Sequence, residues 1–543
     1  MTMKSNKIKS ILIAATALLI IQGCKKTEPV ISAENEVVTT IEKSSGLQTF
    51  AATGEHGTYQ FIAKENNKSG QIPNFALNNY ATAGVGDFSG TAHQKFRLTY
   101  MGNNLFKIMN LGSGKVLQSV KYEDTQVLVQ NSENGSSSQL WEITPVGNKT
   151  YRAINKASGL AITSNGAGVA QLTPYTGRSA QLWGYNRLAP DAYRDDQVVN
   201  FFHRTLPSQG SVAFDQGSSI PLPDGRVLWV TEDAYDGSRL TPNGNLKCGF
   251  FQYNNSILIQ PSKTDWNPDN TPNMTIANSR HNRPRQIVDN QPGTDVSWPG
   301  VGIEVNGFVY MHNAEIKFGG ATKQSIIKLK VNPPGQNQWE VERTLIKGVS
   351  DQTDISWITG MNKPGDGYVY VFGCKGVFFN ANNIYVARFA ESDPATWTFW
   401  NGTAWAATPN SSQAARVGTS QSNVAIGYSK GKYIMMQLDL GYFCDPNPHS
   451  IYLSTSSSPT GPFTAPVKVF SIEDRYRGHL NRYYTPMVHP EFDNGKNELL
   501  LTYSVNYGAG CAGVSDNACE NNEQPSIHYQ VKGVRVPYSM IGM

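Results

Sequence analysis

Leu222-Pro223-Asp224-Gly225-Arg226-Val227-Leu228-Trp229-Val230 is a tight turn feeding a strongly apolar strand, and the chain repeats this unit five times. The later copies run Asn306-Gly307 into FVYMH (308–312), Asp366-Gly367 into YVYVF (368–372), Lys430-Gly431 into KYIMM (432–436) and Asn494-Gly495 into ELLLT (498–502). Asn-Gly and Asp-Gly between β-branched or aromatic runs are the strongest short hairpin signal, because such turns need residues that accept positive φ. Successive turn glycines lie 82, 60, 64 and 64 residues apart. A further strand pair completes each unit, as in Ser450–Ser454 with Val467–Val469. The spacing therefore predicts five four-stranded blades, a β-propeller over residues 195–543. The long first interval holds an Asn/Pro/Arg-rich insertion, Pro261 to Gln291, expected as a loop on one rim.

Upstream, residues 55–188 repeat three times at a period near 45. Tyr59-Gln60-Phe61, Phe106-Lys107-Ile108 and Tyr151-Arg152-Ala153 each open a strand, and Gly70, Gly114 and Gly159 mark the turn that follows. Each repeat closes on Gln-x-aromatic: Gln94-Lys95-Phe96, Gln139-Leu140-Trp141 and Gln181-Leu182-Trp183. These units resemble the ricin-type β-trefoil, in which the aromatic enters a shared core while the Gln braces backbone. The resemblance implies carbohydrate binding, which needs polar groups beside a stacking ring. Candidates are Asp124, Gln126 and Asn131 in the second repeat and Gln171 and Tyr175 in the third. The fold class expected is all-β, a trefoil followed by a propeller.

Composition suits that order. Of 543 residues, 16% are charged, and 46 Lys+Arg against 42 Asp+Glu leave a net charge of +4, too small for a nucleic-acid protein. Fifty Gly, 29 Pro and 10% aromatics fit turn-rich β structure. Lys4, Lys7 and Lys9 precede an apolar run, Ile11 to Ile21, too short to remain as a membrane span. Leu19-Ile20-Ile21-Gln22-Gly23-Cys24 then resembles a bacterial lipobox, which implies removal of residues 1–23 and lipidation of Cys24. Lys25-Lys26, with no Asp beside Cys24, fits outer-membrane sorting, and residues 24–54 read as a flexible tether. The membrane is then a partner only through the lipid, and a monomer is expected. Cys511 and Cys519 flank a Gly/Asp/Asn-rich loop and are expected to form a local disulfide, leaving an odd thiol among Cys248, Cys374 and Cys444.

Hairpin register turns sequence offsets into positions around the axis. Eight residues after the turn glycines stand Asp233, Glu315, Lys375, Asp439 and Tyr503; ten before stand Asp215, Ser297, Trp357, Gln421 and Thr485. Charges at one level in four blades imply a polar central cleft. Asp215 and Asp233 share a hairpin, and cleaving a glycosidic bond needs a carboxylic acid for the leaving oxygen and a carboxylate as base or nucleophile. Glu315 and Asp439 are alternative second carboxylates. Trp298, Trp357 and Tyr235 are candidate sugar platforms, with Asp354, Lys375, Asp439 and Arg283 as polar contacts to substrate.

Asp215 before the first hairpin and blade ends such as SIYLSTSSSPTGPF (450–463) resemble the five-bladed glycoside hydrolases of arabinanase and arabinofuranosidase type. The resemblance covers roughly 200–543 and implies a first-blade Asp base, a second-blade Asp and a third-blade Glu acid. Only the base carries over, to Asp215: the second-blade position reads Trp298-Pro299-Gly300 and the third Ile358-Thr359-Gly360. The pattern Asp215…Asp224-Gly225-Arg226…Asp233 looks more like a propeller group with endo-acting D-arabinanase members, where two first-blade aspartates act. The expectation is an inverting polysaccharide hydrolase with Asp215 as base. A non-catalytic glycan binder is the alternative that the missing acids favour, and a lyase using Arg475–Tyr484 is a third. No cofactor is required. Calcium is admissible, in the acidic loop Asp516–Glu523 or in the axis, where related propellers often hold an ion.

Overall fold

The computed structural model describes residues 57–543 except 148, 167, 272, 274–285, 321, 337–338, 353, 377–381, 440–448 and 509–518. Lipidation at Cys24 and substrate binding by Arg283 concern residues outside that set. The described chain is all-β: an N-terminal β-trefoil, then a five-bladed propeller, with one short α-helix, Asp196–Phe202, between them.

The trefoil is built on its three glutamines. Gln94, Gln139 and Gln181 each accept, at Oε1, the backbone N–H five residues upstream (Ser89 2.6 Å, Asn134 2.9 Å, Thr176 2.7 Å). Each donates from Nε2 to the carbonyl seven residues upstream (Asp87 2.6 Å, Ser132 2.8 Å, Pro174 2.7 Å). An amide with one acceptor and two donors is suited to holding a buried turn that has no strand partner. The aromatic two residues on enters the shared core with Phe61, Leu98, Ile108 and Leu117. Trp141 and Trp183 also donate their indole N–H to Leu117 and Ile162 carbonyls, a bond Phe96 cannot make. Gly114 and Gly159 are left-handed as the turns require, but Gly70 lies inside the strand Ser69–Gln71 and Asn67 takes the left-handed position instead.

In the propeller, all five turn glycines (225, 307, 367, 431 and 495) have φ between 71° and 90°, with open space around each. The inner strands are Ser211–Pro221, Val296–Val305, Ser356–Asn362, Val424–Ser429 and His479–His489. Each packs against the next, and the last returns to the first, closing the ring. Blades two, three and four carry four or more strands; the outer pairing in blade four joins Leu453 to Val467. Two blades depart from the expected pattern. Among the described residues blade one has three strands, with Asn273 bridging Leu258 at its outer edge. Blade five takes its outermost strand from Tyr193–Arg194, which pairs with Gln530–Pro537. The ring is thus closed by residues lying just before position 195.

Trefoil and propeller belong to one compact unit, Phe50–Met543. Arg194 bonds Asp474 (2.6 Å), the Gly112 carbonyl of the trefoil (3.2 Å) and Tyr503 Oη (3.2 Å). Arg97 and Tyr193 both reach Glu498, and Lys115 reaches Asp196. The expected Cys511–Cys519 bridge is replaced: Cys519 bonds Cys248, 271 residues away, with Cα atoms 5.6 Å apart. Strand pairing of Leu246–Lys247 with Glu523–Gln524 lays those two loops side by side, which sequence spacing alone does not reveal.

Candidate active site

Asp215 sits where the inner strand of blade one bulges. Register breaks on both sides of it, and Gln216 and Gly217 take φ of 75° and 68°. Its cross-strand partner is Glu232, one residue short of the Asp233 that simple counting predicts. Asp233 has φ of 42°, a left-handed conformation that costs a non-glycine residue about 1–2 kcal/mol. In the neighbouring ladder Glu232 pairs Asn255 and Ala234 pairs Tyr253. A regular strand sends consecutive side chains to opposite faces; a bulge re-aims them. Here the Asp233 charge acts on Asp215, and both aspartates act on Glu232.

The last blade supplies the donors. Tyr484 donates its hydroxyl to Asp215 Oδ2 at 2.6 Å and accepts from Asn506 Nδ2 at 3.3 Å. Tyr529 Oη lies 2.9 Å from the Asp233 carbonyl and 3.2 Å from Asp215 Oδ2. A hydroxyl has one proton and a carbonyl can only accept. The single Tyr529 proton is therefore shared between two acceptors, the Asp233 carbonyl being the nearer. Asp215 Oδ1 is buried with no hydrogen-bond partner. Trp298, from the inner strand of blade two, donates its indole N–H to Asp233 Oδ1 at 3.0 Å, and the Asn254 side chain bonds the same carboxyl. Tyr235 meets Tyr529 edge-on with centroids 5.4 Å apart and bonds the Gly249 carbonyl.

Burial dominates the electrostatics. It pushes the Asp233 carboxyl up to about 7 against the Trp298 and Asn254 hydrogen bonds. Burial, then the Asp233 charge, holds Asp215 well above the usual carboxylate range, against the pull of the two tyrosines. Glu232 is raised by burial and by both aspartates. Three acids this close release their protons in steps that belong to the group. Near neutral pH the cluster can present one acid and one base together.

The structure thus brings together Asp215, Asp233, Trp298 and Tyr235 among the expected residues. Glu315 stands apart from that cluster: Arg343 (2.8 Å), Ser297 (3.0 Å) and Ser325 (2.7 Å) occupy its buried carboxylate. Trp357 is 1% exposed and packs on Phe399 in the core of blade three, so its ring offers no face to a sugar. Asp354 and Lys375 pair with each other at 3.0 Å, and Asp439 accepts the Ser450 N–H at 2.9 Å. In the trefoil, Asn131 is held by the Tyr80 N–H and Gln118, and Gln126 by Ser119, while Asp124 and Gln171 are exposed. Tyr175 carries the Arg152 guanidinium 5.0 Å from its ring centre. Among the described residues no group of three or more His, Cys, Asp or Glu could hold a metal ion, and Glu520 and Glu523 of the acidic loop are engaged by Arg477 and Asn245. Glu232, Asn254 and Tyr529 were not expected from sequence, and Tyr484 only as the end of the Arg475–Tyr484 segment of the lyase alternative: Glu232 is hidden by the bulge, the tyrosines by lying in another blade.

A family model described as a domain of unknown function, DUF5005, matches residues 195–527, more than half of the chain. The chain belongs to the DUF5005 family. A ricin-type β-trefoil lectin domain-like model matches residues 92–177, so a lectin-like domain precedes the DUF5005 domain. No curated protein matches the chain. Among solved structures, a protein from Bacteroides ovatus described as a "putative hydrolase" is similar at 18% identity and TM-score 0.51, over 64% of this chain and 90% of its own. That likeness is one of fold. The designed threefold-symmetric protein ThreeFoil matches at 25% identity and TM-score 0.24, over 24% of this chain and 99% of its own. An exo-β-1,3-galactanase from Clostridium thermocellum matches at 24% identity and TM-score 0.23, over 24% of this chain and 30% of its own. Asp215, Asp233, Tyr484 and the N-terminal part of the trefoil–propeller junction at 195–196 all lie inside the DUF5005 match, and Tyr529 lies two residues beyond it.

Proposed function

We propose that the protein is a glycoside hydrolase that cleaves a polysaccharide, an arabinan being the first substrate to try, with the trefoil as its carbohydrate-binding module. The observation that carries this reading is the Asp215–Asp233 pair: two carboxylates at one end of the propeller, both raised by burial, one of them to about 7. The directions of the two shifts favour exchanging the roles expected from sequence: Asp215 is the acid. Burial and the Asp233 charge keep it protonated, and it gives that proton to the leaving glycosidic oxygen as the C–O bond breaks. Asp233 is the base. Ionised above about pH 7, it takes a proton from a water that attacks the anomeric carbon. Trp298 orients Asp233 through its indole N–H. The products are a new reducing end and a shortened chain, with inversion at the anomeric carbon.

Cys24 is the proposed anchor to the outer membrane, and tethering a lectin-like module beside the cleft raises local substrate concentration. Product analysis on plant and bacterial polysaccharides tests the reading, with wild type, Asp215→Asn and Asp233→Asn. New reducing ends that vanish in either variant are expected. Binding without products from any polysaccharide would reduce the propeller to a glycan-binding platform, and unsaturated products absorbing in the ultraviolet would make it a lyase.

A further inference from the structure

A cavity of about 460 Å³ opens between the third and fourth blades, on different strands from the carboxylate cluster. Its wall combines Gly418–Ser420, a strand that pairs back onto blade three, with Met435, Gln437 and Ser454 of blade four and the loop carrying Phe463. The size falls within the range of roughly 300–1,000 Å³ found for small-molecule sites.

Two features of the wall point to a ligand. Gln437 is 4% exposed, yet its amide is poorly satisfied: Oε1 accepts from the Gln421 N–H at 3.4 Å and Nε2 donates to Ser454 Oγ at 3.4 Å. Both contacts lie beyond the usual 2.7–3.2 Å for such bonds, so a buried amide keeps unspent donor and acceptor capacity facing the cavity. Gly418 is the second. It has no left-handed φ that would demand glycine, and a Cβ there would rest 3.4 Å from Phe463 Cδ2 and 3.8 Å from Met435 Cε. The backbone admits a side chain, and its absence leaves the edge of the Phe463 ring uncovered. Glycine within a strand weakens it and often marks a place of close approach by a ligand.

An uncovered aromatic ring, a buried amide and the Ser454 and Thr419 hydroxyls are what a hydroxyl-rich ring with one apolar face requires. No carboxylate lines the cavity and one guanidinium, Arg416, does, an arrangement with no charge repulsion toward a neutral sugar. We propose that this cavity is a second saccharide-binding site of the propeller, taking a neutral glycan segment away from the carboxylates. The choice of ligand rests on the glycan-degrading reading, but the site does not depend on catalysis.

The test is hydrogen–deuterium exchange on the full chain carrying Asp215→Asn, with millimolar arabinohexaose, galactohexaose or cellohexaose as probe. At least one probe should slow exchange about threefold or more over 416–421 and 462–467. Gly418→Leu, which sets a side chain against the Phe463 ring, and Phe463→Ala should each abolish that protection while leaving protection in the trefoil unchanged. No protection at these segments with any probe overturns the proposal, as does protection that survives both substitutions. Failure of the hydrolase reading appears in a different assay, as absence of products from the wild type.

Discussion

Replacing Asp233 by Asn isolates the electrostatic strain in the proposed base. Its carboxyl moves from 3.8 to about 7 on folding. Below pH 3.8 both folded and unfolded chains hold the proton, and the group contributes its full stabilisation. Between the two values the folded chain keeps a proton that the unfolded chain releases, so stability falls by ~1.36 kcal/mol per pH unit. Across about 3 units the loss is about 4 kcal/mol, complete once pH exceeds about 7. Asn does not titrate. Relative to wild type, the variant should therefore gain about 4 kcal/mol between about pH 3 and pH 8. Comparing one variant at two pH values cancels whatever Asn does to local packing. Removing the Asp233 charge also lowers the strain on Asp215 and Glu232, which adds in the same direction. With unfolding entropy near 2.1 cal/mol/K per residue over a propeller of roughly 350 residues, the gain corresponds to about 5–6 °C in Tm. Differential scanning calorimetry in non-protonating salt buffers measures it. A Tm gap between variant and wild type that stays constant with pH, or shifts toward wild type as pH rises, refutes the strained-carboxyl argument. In the wild type, kcat/KM should rise as the pH climbs through about 7, because the base must have lost its proton.

Tyr484→Phe removes the hydroxyl that Asp215 accepts at 2.6 Å; kcat/KM should drop about 10- to 100-fold and the alkaline limb of the pH profile should move upward, since the carboxylate form loses a donor. An unmoved limb would show that Tyr484 only packs. Glu315→Gln should leave turnover intact but lower stability by about 1.5–3 kcal/mol through its bonds to Arg343 and Ser325, read by urea unfolding. Asp474→Asn should cost about 3–5 kcal/mol, because the Arg194 charge left at the junction is nearly fully buried; a loss under 1 kcal/mol would contradict that account.

What could be read from sequence was what repeats. The five turn glycines and three Gln-x-aromatic motifs recur at fixed periods and exert purely local demands, a left-handed turn and a held loop, so they are legible without neighbours. Asp215 and Asp233 were legible for the same reason, as two acids on one hairpin. Glu232 was not, because counting along an ideal ladder assumes one residue per rung, and the bulges around Asp215 and Asp233 break that count. Trp298 and Trp357 look alike in sequence, Asp-Val-Ser-Trp against Asp-Ile-Ser-Trp, yet one indole bonds Asp233 and the other lies in the blade core. Their strands also bulge differently: just past Trp298, between Pro299 and Gly302, but between Ser356 and Gly360, an interval that contains Trp357 itself.

The least legible part of the site is its dependence on closure. Asp215 and Asp233 come from the first blade, Tyr484 and Tyr529 from the last, and Tyr529 stands 314 residues from the carboxylate it faces. In an open chain those aspartates have no tyrosine donors, and the burial that raises them does not exist. Two connections outside the blade pattern hold first and last together: Tyr193–Arg194 completes the fifth blade, and Cys248–Cys519 ties a first-blade loop to the segment preceding Tyr529. Both lie on the same circuit as the site residues. Arg194, in the closing strand, also bonds Asp474 and the trefoil carbonyl of Gly112, so the closure that assembles the acids also docks the lectin-like domain. Chemistry and binding module therefore meet at one closing strand, beside the Arg97–Glu498 and Lys115–Asp196 pairs, and a chain that fails to close should lose the raised acids and the Arg194 contact to the trefoil together.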